Sequence, residues 1–224
     1  MPLRKTPIVT GQTYHVFNRG VNKQPIFFTP RNYERAIDSI KYYLTYKPPL
    51  SYSRYLKLPE EIRKEINNRI IKLEKGVQII SYSFMPNHFH FLLKQLLDDG
   101  ITQFIRNLEI SYTKYINKRH NRTGQLLQGP FKAIIIEDDD QLMHVCRYIH
   151  LNPYTSFIIN NLDELKSYNW SSLKEYLSIA NEDFCTKDII LSTFKNNKDK
   201  YWEFIVNQAD YQRKLDKIKH LILE

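Results

Sequence analysis

Met85-Pro86-Asn87-His88-Phe89-His90-Phe91-Leu92 lies within an apolar run that begins at Val77, and its reading decides the fold. The run reads as a strand pair, with the histidines on the second strand of a hairpin. Side chains of a strand alternate between its faces, so His88 and His90 point one way and Phe89 and Phe91 the other. Two imidazoles side by side on a strand are either a structural pair or two ligands of one divalent cation. In the second case at least one further ligand must come from elsewhere in the chain.

Val145-Cys146-Arg147-Tyr148-Ile149-His150-Leu151-Asn152-Pro153 supplies the next observation. Leu142, Val145, Cys146 and Ile149 follow the spacing of an amphipathic helix. Asp138, Asp139 and Asp140 provide an N-cap and negative charge at its start. Pro153 is expected to end it, because the residue before a proline is pushed out of the helical region. Tyr148 and Asn152 stand at i and i+4, neighbours on one face bordering the buried stripe. In a chain with 16 tyrosines that pairing has little weight alone.

Around these segments the chain alternates strand-like and helix-like stretches. Residues 12 to 18 read as an opening strand, and Arg31 to Tyr46 as a helix with Tyr33, Ala36, Ile37, Ile40 and Leu44 inward. Lys47-Pro48-Pro49 stops that helix. Pro59 opens a second, strongly charged one through Lys75, with Ile62, Ile66, Ile70 and Leu73 as its stripe; it reads as a solvated insertion over about 47–76. Gly76 then precedes the strand pair. Ile101, Phe104, Ile105, Leu108, Tyr112, Tyr115 and Ile116 mark a long helix. The order strand, helix, helix, strand, strand, helix, strand, helix suggests an α+β two-layer sandwich with a mainly antiparallel sheet. Residues 1–180 read as the main domain and 181–224 as a basic helical extension, either a packed appendage or a second DNA-contacting unit.

Taken together, the His-x-His strand and the Tyr-x-x-x-Asn helix resemble the single-tyrosine HUH transposases, most closely the REP-associated tyrosine transposases. Tyr14-His15-Val16-Phe17-Asn18-Arg19-Gly20 with Gln24-Pro25-Ile26-Phe27-Phe28 is similar to the opening strand and turn of that family. Gly124-Gln125-Leu126-Leu127-Gln128-Gly129-Pro130-Phe131-Lys132 resembles its glycine-punctuated loop, and Tyr168-Asn169-Trp170-Ser171-Ser172 its tail. The resemblance spans about residues 10 to 175. It implies a ferredoxin-like form of the sandwich and an activity that cleaves and rejoins single-stranded DNA. It further implies that His88, His90 and Asn152 hold Mg²⁺ or Mn²⁺ and that Tyr148 attacks the scissile phosphate to give a 5′-phosphotyrosine. Asn152 in this role is similar to the REP-associated branch, where insertion-sequence relatives more often carry glutamine.

Tyr112 and Tyr115 are rival nucleophiles on another helix, but neither has an amide four residues on. An ordinary phenol has a pKa near ~10, so Tyr148 needs help to lose its proton. His144 and His150 lie close in sequence and read as surface histidines. Lys118, Arg119 and Arg122, read as a loop ahead of Gly124, are expected to contact DNA phosphates, the other reading being a solvated connection. Arg19 and Asn22 form a second patch, and Lys132 a further contact. Pro130 stands where the family often has a basic residue, which bears on substrate detail.

Composition agrees with a polyanionic partner. The chain has 33 Lys+Arg against 24 Asp+Glu, a formal charge of +9 and a pI of about 9.3, which favours a polyanionic partner through counterion release; the resemblance implies that this partner is single-stranded or hairpin DNA. No stretch reads as a signal peptide or a bilayer span. Two cysteines, Cys146 and Cys185, make no disulfide framework. A reduced cytoplasmic, nucleoid-associated protein is expected, acting as a monomer or homodimer. Two other functions stay open: a domesticated hairpin binder that does not cut, and a His-pair metal hydrolase. The sequence following His90, Phe91-Leu92-Leu93, lacks the Asp-His of metallo-β-lactamase-like sites.

Overall fold

The computed structural model describes residues 7–180 and 184–214. Four strands, β1 (Thr13–Arg19), β2 (Val77–Met85), β3 (His88–Gln95) and β4 (Lys132–Ile135), form one sheet in the order β2-β3-β1-β4. With helices between the strands, that order is the ferredoxin-like α+β arrangement the resemblance implied. The helices are α1 (Pro30–Tyr43), α2 (Tyr52–Tyr55), α3 (Glu60–Ile70), α4 (Gly100–Arg119), α5 (Asp139–Thr155), α6 (Asp163–Ser167), α7 (Leu173–Tyr176), α8 (Asp188–Leu191) and α9 (Lys198–Val206). The chain divides into two compact units, and the β2–β3 hairpin contributes residues to both.

The first unit holds residues up to Gln78, Pro86–His88 and Leu93–Ile135. Here β1 pairs antiparallel with β4, Tyr14 opposite Ile135 and Phe17 opposite Lys132. Alternation buries Tyr14, Val16 and Asn18 and leaves His15 and Phe17 half-buried. α1 packs on α4, burying Tyr33, Ala36 and Ile40 as expected; Ile37 is only half-buried, and Leu44 is buried just past the helix end. Pro30 sits at the first helical position, where a missing N–H costs nothing. α4 starts where a Cβ on Gly100 would meet the carbonyl oxygen of Gly76 at 2.1 Å. That close approach requires glycine.

Two expectations in this unit need correction. The charged helix after Pro59 ends at Ile70, not Lys75, and none of its residues is buried. Its stripe is too sparse to close a core, and Ile62 and Leu73 are exposed. α2 was not foreseen: Tyr52 and Tyr55 pack with Tyr42, and the Arg35 guanidinium lies 4.2 Å from the Tyr52 ring centre. A four-residue helix held by aromatic packing has no periodicity to announce it.

The second unit holds Ile79–Met85, Phe89–Leu92 and the residues from Ile136 onward. Its core gathers Ile80, Leu92, Leu142, Cys146, Ile149, Tyr176, Tyr201 and Ile205. The Tyr168-to-Ser172 segment runs along β2. Phe84 N–H donates to the Trp170 carbonyl at 2.8 Å, Ser172 N–H to the Tyr82 carbonyl at 3.0 Å, and Tyr168 Oη to the Phe84 carbonyl at 2.6 Å. β2 is the outer strand of the sheet, so this segment covers an edge that would otherwise expose unpaired backbone groups. The described part of the C-terminal tail is a packed appendage: α9 packs on α5. The rest of the basic run, from Leu215 to His220, lies outside the described residues. Cys146 and Cys185 are both free thiols and both buried. Among the described residues no helix is long and apolar enough to cross a membrane.

Candidate active site

The turn before the histidines is pinned by the loop that follows β1. Gly20 N–H donates to the Asn87 carbonyl at 2.7 Å, and Ile26 and Phe27 N–H both donate to the Pro86 carbonyl at 2.7 and 2.9 Å. The Asn87 Nδ2 group donates to the Lys23 carbonyl at 3.1 Å. Its Oδ1 is therefore the atom 2.6 Å from Nδ1 of His88. A carbonyl oxygen accepts, so His88 carries its proton on Nδ1 and keeps the lone pair on Nε2. That is the arrangement of an imidazole ready to ligate through Nε2. Asn87 has no role in the sequence reading, although an amide next to a histidine is a signal that could have found this contact.

His90 is buried, at 6% exposure. Its ring meets the Tyr148 ring edge to face, centroids 5.5 Å apart and planes at 86°. Phe89 and Phe91 are buried on the other side of the strand, packing with Phe84.

Tyr148 and Asn152 stand on α5. The Asp138 side chain caps this helix by accepting from Gln141 N–H at 2.7 Å, and Asp139 and Asp140 occupy its first turn. Leu142, Cys146 and Ile149 are buried as the spacing predicted, while Val145 is half-buried. Tyr148 is half-buried, but Asn152 is not a boundary residue: it is 1% exposed, and its Oδ1 accepts from Ser156 Oγ at 2.9 Å. Pro153 does not end the helix. It lies inside α5, which runs on to Thr155, with Ser156 N–H donating to the Asn152 carbonyl at 2.9 Å. Pro153, Tyr154 and Thr155 are all buried, and this packing outweighs the local preference of the residue before proline.

Of the two nearby histidines, His144 is exposed, 2.6 Å from the Arg147 guanidinium. His150 corrects the expectation of a surface residue. It is fully buried, with both ring nitrogens hydrogen-bonded, to Tyr201 Oη and Ser172 Oγ, each at 2.7 Å. Burial lowers its pKa to about 3, so it is neutral near pH 7. Its partners lie 22 and 51 residues further along the chain, a separation that left no signal in the local sequence.

The rival tyrosines are placed differently. Tyr112 is buried, donates its hydroxyl to the Ile26 carbonyl at 2.7 Å, and has its pKa raised well above 10 by that burial. It is an anchor for the loop that pins the histidine turn. Tyr115 is half-buried, its hydroxyl 3.5 Å from Asn32 Nδ2.

The expected DNA contacts all fall in the first unit. Lys118 and Arg119 are in the last turn of α4, not on a loop; Asn121, at φ 49°, and Arg122 follow it. The helix therefore runs farther than the polar composition suggested. Arg19 is exposed at the end of β1 and donates Nε–H to Gln128 Oε1 at 2.6 Å. Asn22 is exposed in a left-handed turn at φ 54°. Lys132 is exposed on β4, its ammonium 5.9 Å from the Phe17 ring centre. Among the described residues no three His, Cys, Asp or Glu side chains gather as a metal cluster.

Residues 49–152 match the family model described as IS200-like transposase, a span that takes in His88, His90, Tyr148 and Asn152. Over that segment the chain is similar to the IS200-like transposase family. No curated protein matches the chain in sequence. Among solved structures, the chain is similar to a REP-associated tyrosine transposase bound to a REP hairpin. Identity is 13% and the TM-score 0.54, over 84% of this chain and 98% of that one. At that identity the likeness carries the fold.

Proposed function

We propose that this chain is an IS200-like transposase, a single-tyrosine enzyme that cleaves and rejoins single-stranded, hairpin-flanked DNA, with Tyr148 as its nucleophile. The observation that carries this reading is the edge-to-face contact of His90 with Tyr148. It sets a phenol beside a histidine of the His-x-His strand, inside one compact unit. The Tyr148 oxygen attacks phosphorus and gives up its proton as the bond to the 3′ oxygen breaks. The products are a 5′-phosphotyrosine and a free 3′-hydroxyl. The ester keeps the phosphoryl group activated, so a 3′-hydroxyl can reverse the step without nucleotide energy.

The donor set fits a hard divalent ion, Mg²⁺ or Mn²⁺. His88 keeps Nε2 as a donor, His90 supplies a second imidazole, and Asn152 Oδ1 has a lone pair beyond the one engaged by Ser156. When bound, the ion supplies Lewis-acid polarisation of the scissile phosphate. His88, His90 and Asn152 would hold it. Arg19, Asn22, Lys118, Arg119, Arg122 and Lys132 bind the phosphate backbone and position the strand.

The test is incubation of the full chain with Mn²⁺ and single-stranded DNA flanking its own gene, resolved under denaturing conditions. A covalent protein–DNA adduct with a free 3′-hydroxyl is expected. Cleavage without an adduct would indicate a metal hydrolase, and binding without cleavage a non-catalytic hairpin binder. Either result overturns the proposal.

A further inference from the structure

The residues flanking Tyr148 along α5 are tied to a helix far beyond the family match. Cys146 Sγ lies 3.5 Å from Tyr201 Oη on α9. Arg147 stacks its guanidinium on the Phe204 ring, 4.4 Å from the centroid, and donates to the Phe204 carbonyl at 3.4 Å. His150 bonds Tyr201 Oη through Nδ1, and Tyr154 Oη donates to Asp210 Oδ1 at 2.8 Å. From His150 the connection continues to the sheet. Its Nε2 meets Ser172 Oγ, which accepts from Tyr82 N–H at 2.9 Å and donates to the Tyr82 carbonyl at 3.2 Å on β2.

With Ser172 Oγ–H directed at that carbonyl, the imidazole donates through Nε2 and accepts the Tyr201 proton at Nδ1. Tyr201 in turn accepts from the Cys146 thiol. The relay is buried and each member has its partner, which makes it intolerant of displacement. A one-residue slip of α5 turns its side chains by about 100° and breaks the bonds that Cys146 and His150 make to Tyr201 and Ser172.

We propose that α9 is a clamp on the helix that bears the nucleophile, and that His150 and Tyr201 are positioning residues for Tyr148. This rests on the reading of Tyr148 as the nucleophile. Tyr148 is two positions from His150 and one from Arg147, so the clamp fixes both the axial position and the rotation of the phenol. His150 itself has both nitrogens engaged away from Tyr148 and takes no part in removing its proton. The C-terminal tail thereby acquires a role in the transfer step, separate from the cations of the first unit.

The experiment uses the full chain, Mn²⁺, and a single-stranded oligonucleotide carrying a hairpin and its flanks from the DNA bordering the gene. Adduct formation is followed at saturating DNA, well below each variant's melting temperature. Tyr201→Phe keeps the stack on Tyr176, whose ring centroid is 4.9 Å away, and removes only the hydroxyl. It and His150→Gln are expected to slow adduct formation by about tenfold or more. The DNA concentration for half-saturation should stay within about twofold, since the phosphate contacts lie in the other unit. Ser172→Ala, which breaks the relay without touching α9, takes their place if either fails to fold and should slow the rate in the same way. A purely structural role would lower melting temperatures and leave the rate per folded molecule unchanged; that result overturns the clamp. No adduct with the wild-type chain, or an adduct surviving Tyr148→Phe, instead overturns the reading on which the clamp rests.

Discussion

Asn87 orients His88, and Tyr112 holds the loop that holds Asn87's turn. The neighbouring amide thus sets which nitrogen of His88 carries the proton. Calorimetric titration with Mn²⁺ should show binding largely lost in His88→Ala, while unchanged affinity would remove this strand from the metal site. Tyr112→Phe leaves the Ile26 carbonyl without its 2.7 Å donor and should cost about 1 to 2 kcal/mol of stability in denaturant unfolding. Its DNA cleavage should persist. The strand of the histidine pair and the helix of Tyr148 and Asn152 were legible from spacing because strand and helix periods are local. The burial of Asn152 and His150 was not, because it depends on Ser156, Ser172 and Tyr201 meeting them in the folded chain.

Elements with a strong period were read well and those without one were not. β1, the β2–β3 hairpin, α1, α4 and α5 each carry an apolar pattern long enough to declare itself. α2 has four residues, and the helix after Pro59 fades at Ile70 because its apolar positions find no core. At Pro153 a sound local rule met a stronger tertiary one. Removing the α5 cap with Asp138→Ala should cost about 1 kcal/mol, readable as a lowered unfolding midpoint with an unchanged slope. Gly100→Ala should be far worse, by more than about 2 kcal/mol, since the new methyl would fall on the Gly76 carbonyl. A variant as stable as wild type would mean that the two segments can separate without penalty.

Across the whole molecule, charge favours a polyanionic partner, and burial shapes the response to pH. Burial lowers the His15 pKa to about 4, below its ordinary value of about 6.5. Between those values the unfolded chain binds the extra proton. The stabilisation is therefore complete above pH 6.5 and is lost as pH falls toward 4. Melting temperature should drop over that range, and His15→Gln should make the drop shallower; an unchanged slope would contradict the burial of this ring. The +9 charge made a polyanion the natural partner. The packing of the tail on α5 came only with the three-dimensional arrangement, since it depends on contacts between residues remote in sequence. One tyrosine, Tyr148 on α5, is the proposed nucleophile. The most direct measurement of that role compares covalent DNA adducts of Tyr148→Phe, Tyr112→Phe and Tyr115→Phe with the same single-stranded substrate and Mn²⁺. Loss of the adduct in Tyr148→Phe alone, with DNA binding retained, is the predicted result; an adduct that survives Tyr148→Phe and disappears in either of the others would contradict it.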